Sequence, residues 1–235
     1  MTKVTITGAD DSIDPIELIK LSEKFPFVEW GILFSKNRQG SPRYPSVDWI
    51  DELSKLKTNG EVNFSAHICG DYTKDFFNGH FSFEKNHKLG LFKRVQLNFN
   101  SSKYEYNLAY TFDIITRFPN IEFIFQYNKA NEKMIGKFIG NKVKNISFLY
   151  DSSGGRGIAA TQYLYPLEGY YTGYSGGLSP LNIEDCIKEI NRVSIAQKIW
   201  IDMESGVRSN NDELFDLDKV KRCLEISGKY VNKLF

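Results

Sequence analysis

The sequence lacks a long hydrophobic run and any block of like charges. None of its apolar stretches approaches the ~18 residues that a membrane-spanning helix needs, and the first residues, MTKVTITGADD, contain no apolar signal core. The formal net charge is only +1, and no basic stripe marks a docking surface for nucleic acid or for a membrane. We therefore expect neither a nucleic acid nor a membrane as a partner.

Cysteine is also scarce. The three cysteines, Cys69, Cys186 and Cys223, follow no disulfide or metal-site spacing, and an odd set of this kind is typical of a reducing compartment such as the cytoplasm. His67, Cys69 and Asp71 alternate at one predicted strand end, but one strand supplies too few ligands for a closed metal site. We predict a cytoplasmic protein with no metal and no cofactor.

Eight short apolar segments alternate with helix-like segments along the whole chain. The apolar segments cover residues 4–8, 28–35, 61–70, 94–100, 121–128, 146–151, 170–177 and 198–205. They have the length and the Ile, Val, Phe and Tyr content of buried strands. Strands that alternate with helices predict a parallel sheet, and eight such units in 235 residues predict one closed (β/α)8 TIM barrel, a single domain over residues 1–235.

Local signals predict where some of the helices lie. Ser46 and Asp216 are expected to cap two of them. Tyr106, Tyr110, Ile114 and Phe118 are predicted to share one apolar face of a third. An open dinucleotide-binding sheet fits less well, because the glycine loop at 154–157 does not have the G-x-G-x-x-G spacing.

In a (β/α)8 barrel the active site lies at the carboxyl ends of the strands. Asp151 ends the sixth predicted strand, Asp202 and Glu204 end the eighth, and His67 and Cys69 end the third. Because side chains alternate along a strand, Asp202 and Glu204 share one face, and His67 and Cys69 share another. These residues are our candidates for acid–base chemistry.

Two glycine-containing loops predict an anion site. Gly176 and Gly177 follow the seventh strand just before a helix start, and Ser205 and Gly206 follow the eighth strand. Glycine lets the backbone approach a ligand closely, and free N–H groups at a helix start favour a phosphate. Barrels of this type often bind phosphate at the loops after strands seven and eight. We therefore expect a small phosphorylated ligand at these loops.

Six segments carry a resemblance to a known family. They are TITG (5–8), GILFSKNRQGSPRYPS (31–46), VQLN (95–98), FLYDSSGGRG (148–157), YSGGLSPLNIEDCI (174–187) and IDMESGVRS (201–209). In this order, and over nearly the whole chain, they are similar to the motifs of phosphoribosylanthranilate isomerase, a (β/α)8 enzyme of tryptophan biosynthesis. The resemblance implies that the two glycine-containing loops hold the substrate's phosphate. It also implies that Arg43 binds the anthranilate carboxylate and that Asp151 protonates the ribose ring oxygen.

Several positions, among them Asn98 and Arg208, depart from the family's pattern, and the departure at Thr7 bears most directly on its chemistry. Thr7 stands where the resemblance implies the cysteine that takes the C2 proton in the Amadori rearrangement. A threonine hydroxyl is not a free base without an activator, so the base has moved or the reaction has changed. The candidates for a moved base are His67, Cys69 and Glu204. If Glu204 is not the base, we expect it to form an ion pair with Arg43, Arg156 or Arg208. We expect Asp202 and Arg156 to contact the substrate.

Three functions stay open at this point. The first is an isomerase-like reaction on a phosphoribosyl or other sugar-phosphate ligand. The second is a barrel that binds such a ligand without converting it, as a sensor, scavenger or interaction module. The third is a lyase or hydrolase reaction that uses Glu204 and His67. The sequence does not predict an oligomeric state.

Overall fold

The barrel expected from the sequence is present. The computed structural model of the protein describes residues 1–57, 60–103, 106–141, 143–151, 162–195 and 197–232. Eight parallel strands close into a barrel in chain order, with β8 paired to β1. The strands are β1 (Lys3–Thr7), β2 (Val28–Phe34), β3 (Asn63–Cys69), β4 (Arg94–Asn98), β5 (Glu122–Tyr127), β6 (Ile146–Asp151), β7 (Thr172–Ser175) and β8 (Ile199–Met203). The predicted (β/α)8 fold is thus confirmed.

Helices cover the outside of the barrel. They are α1 (Ile16–Lys24), α2 (Val47–Lys55), α3 (Asp71–Phe77), α4 (Ser82–Asn86), α5 (Leu108–Arg117), α6 (Glu132–Gly140), α7 (Ile183–Val193) and α8 (Leu217–Gly228). The Ser46 hydroxyl accepts the Trp49 amide at the start of α2, and the Asp216 carboxylate accepts two amides at the start of α8. Both predicted caps are confirmed. No helix in the described part of the chain has the length and apolar character to cross a bilayer.

Two local predictions are wrong. Asp71 does not extend the face of His67 and Cys69, because β3 ends at Cys69 and Gly70 turns the chain with a positive φ of 59°. Asp71 instead opens α3 and is exposed.

The second error concerns α5. Tyr110 is 54% exposed, and its ring lies over Gly79 rather than in the core. The helix buries Thr111, Ile114 and Ile115, a set at the i, i+3, i+4 spacing of one helical face. The buried face is therefore centred one residue later than the sequence pattern predicted.

The lower interior of the barrel is ionic. Arg94 donates to Glu29 at 2.8 Å and to Glu122 at 2.9 Å, and Lys3 lies 2.8 Å from the other oxygen of Glu29. Although burial acts in the opposite direction, the charges of Arg94 and Lys3 lower the pKa of Glu29 to about 2. The Arg94 guanidinium also lies 4.1 Å from the centre of the Trp200 ring. This paired layer closes the barrel below the carboxyl ends of the strands.

A short antiparallel strand pair follows the barrel's last strand. β9 (Arg208–Ser209) pairs with β10 (Leu214–Phe215). The turn between them contains Asn210, Asn211 and Asp212, all with positive φ. This turn brings Asp212 to the carboxyl end of the barrel, where it contacts Arg43 from the loop after β2.

Candidate active site

A cavity of about 620 Å³ opens at the carboxyl ends of the strands. It brings together nine of the residues selected from the sequence: Arg43, Cys69, Asp151, Gly176, Gly177, Asp202, Glu204, Ser205 and Gly206. Thr7 and His67 are buried inside the barrel, where Thr7 contacts the cavity residue Asp202. Arg156 lies outside the described residues. The strand-end rule thus located one polar cavity from positions spread over most of the chain.

Asp202 is a buried carboxyl group in the cavity wall. It is 5% exposed, and one of its oxygens accepts the Thr7 hydroxyl at 2.8 Å. Burial, reinforced by the nearby charges of Glu204, Glu29 and Asp151, raises the pKa of Asp202 to about 8, against the effect of the Thr7 hydrogen bond. The group therefore gains and loses its proton close to neutral pH, which is the range that proton-transfer catalysis uses.

His67 lies behind Thr7 rather than in the cavity wall. Its Nδ1 is 3.5 Å from the Thr7 hydroxyl and its Nε2 is 3.0 Å from the Ser65 hydroxyl. Burial lowers the pKa of His67 to about 3, so the ring is neutral at physiological pH. Gly31 makes room for this arrangement, because a Cβ there would lie 2.3 Å from the Thr7 hydroxyl and 2.8 Å from the His67 ring.

Cys69 lines the cavity as a thiol. Burial raises the pKa of Cys69 to about 11, and the Asn98 amide donates to its sulfur at 3.2 Å. A thiol with a raised pKa carries little thiolate near neutral pH, and the thiolate is the reactive form.

Arg43 is held by the protein's own acidic groups. Its Nη1 donates to Glu204 at 2.5 Å, its Nε donates to Asp212, and its Nη2 lies 3.4 Å from the Ser205 hydroxyl. Burial alone would lower the pKa of Arg43, but its ion pairs with Asp212 and Glu204 raise the pKa above its ordinary value. Arg43 and Glu204 therefore form one ion pair at the edge of the cavity, which is one of the three pairings that the sequence left open.

A second ion pair supports the first. Arg208 is buried, and its Nη2 donates to Asp10 at 2.7 Å. The same Asp10 oxygen accepts the backbone amide of Arg43 at 2.6 Å. Burial alone would raise the pKa of Asp10, but its hydrogen bonds from Ser12, Arg43 and Arg208 lower it below its ordinary value. Sequence reasoning missed Asp10 and Asp212. The acidic pair that follows the first strand in TGADD was the available signal for Asp10.

The loops after β7 and β8 meet at the predicted anion site. A Cβ on Gly206 would lie 1.9 Å from the Leu178 carbonyl oxygen, so only glycine allows the two loops to touch there. Gly176 and Gly177 have φ values of 109° and 62°, a region that favours glycine. Among the residues that the structure describes, no acceptor takes the amide N–H groups of Gly177, Ser205 and Gly206. Amides without an acceptor, on two loops that touch, suit an anion.

The fold and the site define a (β/α)8 barrel with an amide-lined loop pair and acidic side chains around one cavity. Solved structures of phosphoribosylanthranilate isomerases share this fold. A monomeric form of the dimeric enzyme from Thermotoga maritima aligns with a TM-score of 0.59 at 17% identity, covering 97% of this chain and 99% of that one. The N-(5'-phosphoribosyl)anthranilate isomerase from Pyrococcus furiosus gives 0.58 at 14% identity, covering 97% and 100%.

Sequence comparison adds nothing to this structural likeness. No family description matches the chain, and no curated protein matches it. At these low identities the likeness shows the fold alone.

Proposed function

We propose that the protein is an isomerase-like enzyme that acts on a phosphoribosyl-type sugar phosphate at the carboxyl end of the barrel. The observation that supports this most is that a single cavity contains both the amide-lined loops after β7 and β8 and the carboxyl groups of Asp151 and Asp202. A phosphate held by Gly177, Ser205 and Gly206 anchors one end of the sugar. The two carboxyl groups then face the rest of the ring from β6 and β8.

Two carboxyl groups that share a cavity suit an aldose–ketose isomerisation of an N-glycosylamine. In the first step Asp151 gives a proton to the ring oxygen, the C1–O bond breaks, and the nitrogen lone pair forms a C1=N bond. In the second step a base removes the C2 proton, the electron pair of that C–H bond forms the C1=C2 bond, and the π pair of the C1=N bond returns to nitrogen, which leaves an enol with its amine at C1. The enol then becomes the C2 ketone by losing its hydroxyl proton and gaining one at C1.

Asp202 is our choice for the base. Burial raises the pKa of Asp202 to about 8, so this carboxyl group can hold and release a proton near neutral pH, and it accepts the C2 proton in its ionised form. Thr7 then acts as a positioning residue, because its hydroxyl donates to Asp202 and thereby favours the ionised carboxylate. On this assignment Asp202, in contact with Thr7, supplies the base that the cysteine supplies in the family that the sequence resembles.

Conversion assays on purified protein test the proposal. Phosphoribosylanthranilate and its carboxylate-free counterpart, N-(5-phosphoribosyl)aniline, serve as substrates, with Asp151→Asn and Asp202→Asn as variants. We expect a ketose product from at least one substrate, and a loss of ~10²–10⁴-fold in each variant, the usual size of an acid–base contribution. Full conversion by both variants would contradict the assignment of these carboxyl groups.

The second candidate is a barrel that binds the ligand without turnover. It is favoured by Thr7, which carries no thiol, and by the closed ion pair of Arg43 with Glu204. In that case a sugar phosphate binds, no ketose forms, and Asp151→Asn leaves the affinity unchanged. A lyase or hydrolase that uses Glu204 and His67 has less support, since His67 is buried and contacts Ser65 and Thr7.

A further inference from the structure

Arg43 has its hydrogen-bonding edge turned toward protein side chains. Glu204 and Asp212 take Nη1 and Nε, and the Ser205 hydroxyl lies beside Nη2. An arginine that captures a ligand carboxylate does so through two parallel N–H donors. Here two carboxylates of the chain, those of Glu204 and Asp212, already take one donor each.

The Arg43 main chain is also fixed in place. Its φ is 75°, in the left-handed region that non-glycine residues rarely adopt. The Asp10 carboxylate holds its amide at 2.6 Å, and the buried Arg208 and the Ser12 hydroxyl hold Asp10 in turn. Since the backbone is constrained at this point, the Arg43–Glu204 contact is built into the loops after β1, β2 and β8.

Glu204 opposes a further carboxylate beside Arg43. The described lining of the cavity contains three cationic side chains, Arg38, Arg43 and Lys103, and four acidic ones, Asp151, Asp202, Glu204 and Asp212, and the raised pKa of Asp202 leaves that group protonated at neutral pH. A phosphorylated ligand already brings negative charge, and a second anionic group beside Glu204 would meet a like charge at short range.

The cavity offers an acceptor as well. Gln96 is 3% exposed and lies in the cavity wall, with its amide nitrogen donating to Asn98 at 2.9 Å. Its carbonyl oxygen is buried and has no partner among the described residues. A buried acceptor of this kind is satisfied when a ligand brings an N–H or O–H group.

We propose that Glu204 is a built-in carboxylate that occupies Arg43 in place of a ligand carboxylate. The site then selects a phosphorylated sugar whose nitrogen-linked group has no carboxylate and carries hydrogen-bond donors. The phosphorylated-sugar part of this inference rests on the proposed function above. The exclusion of the carboxylate rests on Arg43 and Glu204 alone.

Calorimetric titration with two matched, unreactive ligands tests the proposal. N-(5-phosphoribityl)aniline and N-(5-phosphoribityl)anthranilate differ only in the carboxylate, and neither can close a ring or react. We expect the wild-type protein to bind the aniline compound at least 10-fold more tightly. Glu204→Gln keeps the side-chain shape but removes the charge, so it should shift this ratio by ~10- to 100-fold toward the anthranilate compound.

Glu213→Gln is the matched control, because Glu213 is an exposed acid near the same turn that does not line the cavity. It should leave the ratio unchanged. A wild-type preference for the anthranilate compound, or a ratio that Glu204→Gln does not move, would overturn the role of Glu204. Ribose 5-phosphate separates the two proposals. If it binds while the ratio stays fixed, only the role of Glu204 fails, and if no phosphorylated ligand binds, the proposed function fails as well.

Discussion

Replacing Asp202 with asparagine should make the fold more stable at neutral and alkaline pH. Burial raises the pKa of Asp202 from 3.8 to about 8, so the folded protein retains a proton that the unfolded chain has lost. A carboxyl group of this kind opposes folding above its unfolded pKa, and the opposition grows until the pH passes the folded pKa. Asparagine is neutral at every pH and has nearly the same shape, and its carbonyl oxygen still accepts the Thr7 hydroxyl.

The size of the effect follows from the two pKa values. Each unit of difference corresponds to 1.36 kcal/mol, and the shift operates between pH 3.8 and about 8. Between pH 5 and pH 8 the penalty of Asp202 grows by about 3 to 4 kcal/mol on this basis. For a chain of this length, 1 kcal/mol changes the unfolding temperature by ~2–4 °C. Between pH 5 and pH 8 the unfolding temperature of Asp202→Asn should therefore rise by about 10 °C relative to that of the wild-type protein.

Thermal unfolding followed by circular dichroism measures this difference. Wild type, Asp202→Asn and Asp113→Asn are compared from pH 5 to pH 8.5, where Asp113 supplies an exposed carboxylate on α5 as a control. The unfolding temperature of Asp113→Asn should change with pH in the same way as that of wild type. If the unfolding temperature of Asp202→Asn also changes with pH as that of wild type does, Asp202 is ionised in the folded protein with an ordinary pKa. The proposal that it carries a proton in catalysis would then be contradicted.

Three further predictions concern the site and its support. Thr7→Val removes the hydrogen bond that favours ionised Asp202, so the rise of turnover with pH should move to higher pH, as a pH–rate profile would show. Gly206→Ala places a Cβ 1.9 Å from a carbonyl oxygen and should weaken sugar-phosphate binding at least ~10-fold by calorimetry. Arg94→Met leaves Glu29 with one cation and should lower the free energy of unfolding by ~3–5 kcal/mol in urea titrations. An unchanged pH–rate profile for Thr7→Val, an unchanged affinity for Gly206→Ala or an unchanged urea midpoint for Arg94→Met would contradict the corresponding prediction.

The fold was predictable from the sequence because strand and helix signals are local. Apolar runs of strand length recur eight times, and caps such as Ser46 and Asp216 act on amides two or three residues away. The face of α5 was misplaced by one residue, because Tyr110 is apolar enough to suggest burial but packs over Gly79 at the surface.

The cavity was predictable for a different reason. In a parallel barrel every strand's carboxyl end lies on one face, so the positions of Asp151, Asp202 and Gly176 along the chain suffice to bring them together. The partners within the cavity were predictable only as alternatives. The sequence offered Glu204 three arginines, and it did not choose Arg43, which is 161 residues away. The pKa of Asp202 depends on its depth in the barrel, which no sequence pattern reports.

The central claim is that Asp151 and Asp202 move protons on a sugar phosphate held by the loops after β7 and β8. Carbon-13 NMR of N-(5-phosphoribosyl)aniline incubated with the protein tests it most directly. We predict that the C1 signal of the glycosylamine decays and that a C2 ketone signal grows. Asp151→Asn should slow this conversion at least ~10²-fold while it still binds N-(5-phosphoribityl)aniline. An unchanged substrate spectrum in the presence of wild-type protein that binds this analogue would contradict the claim.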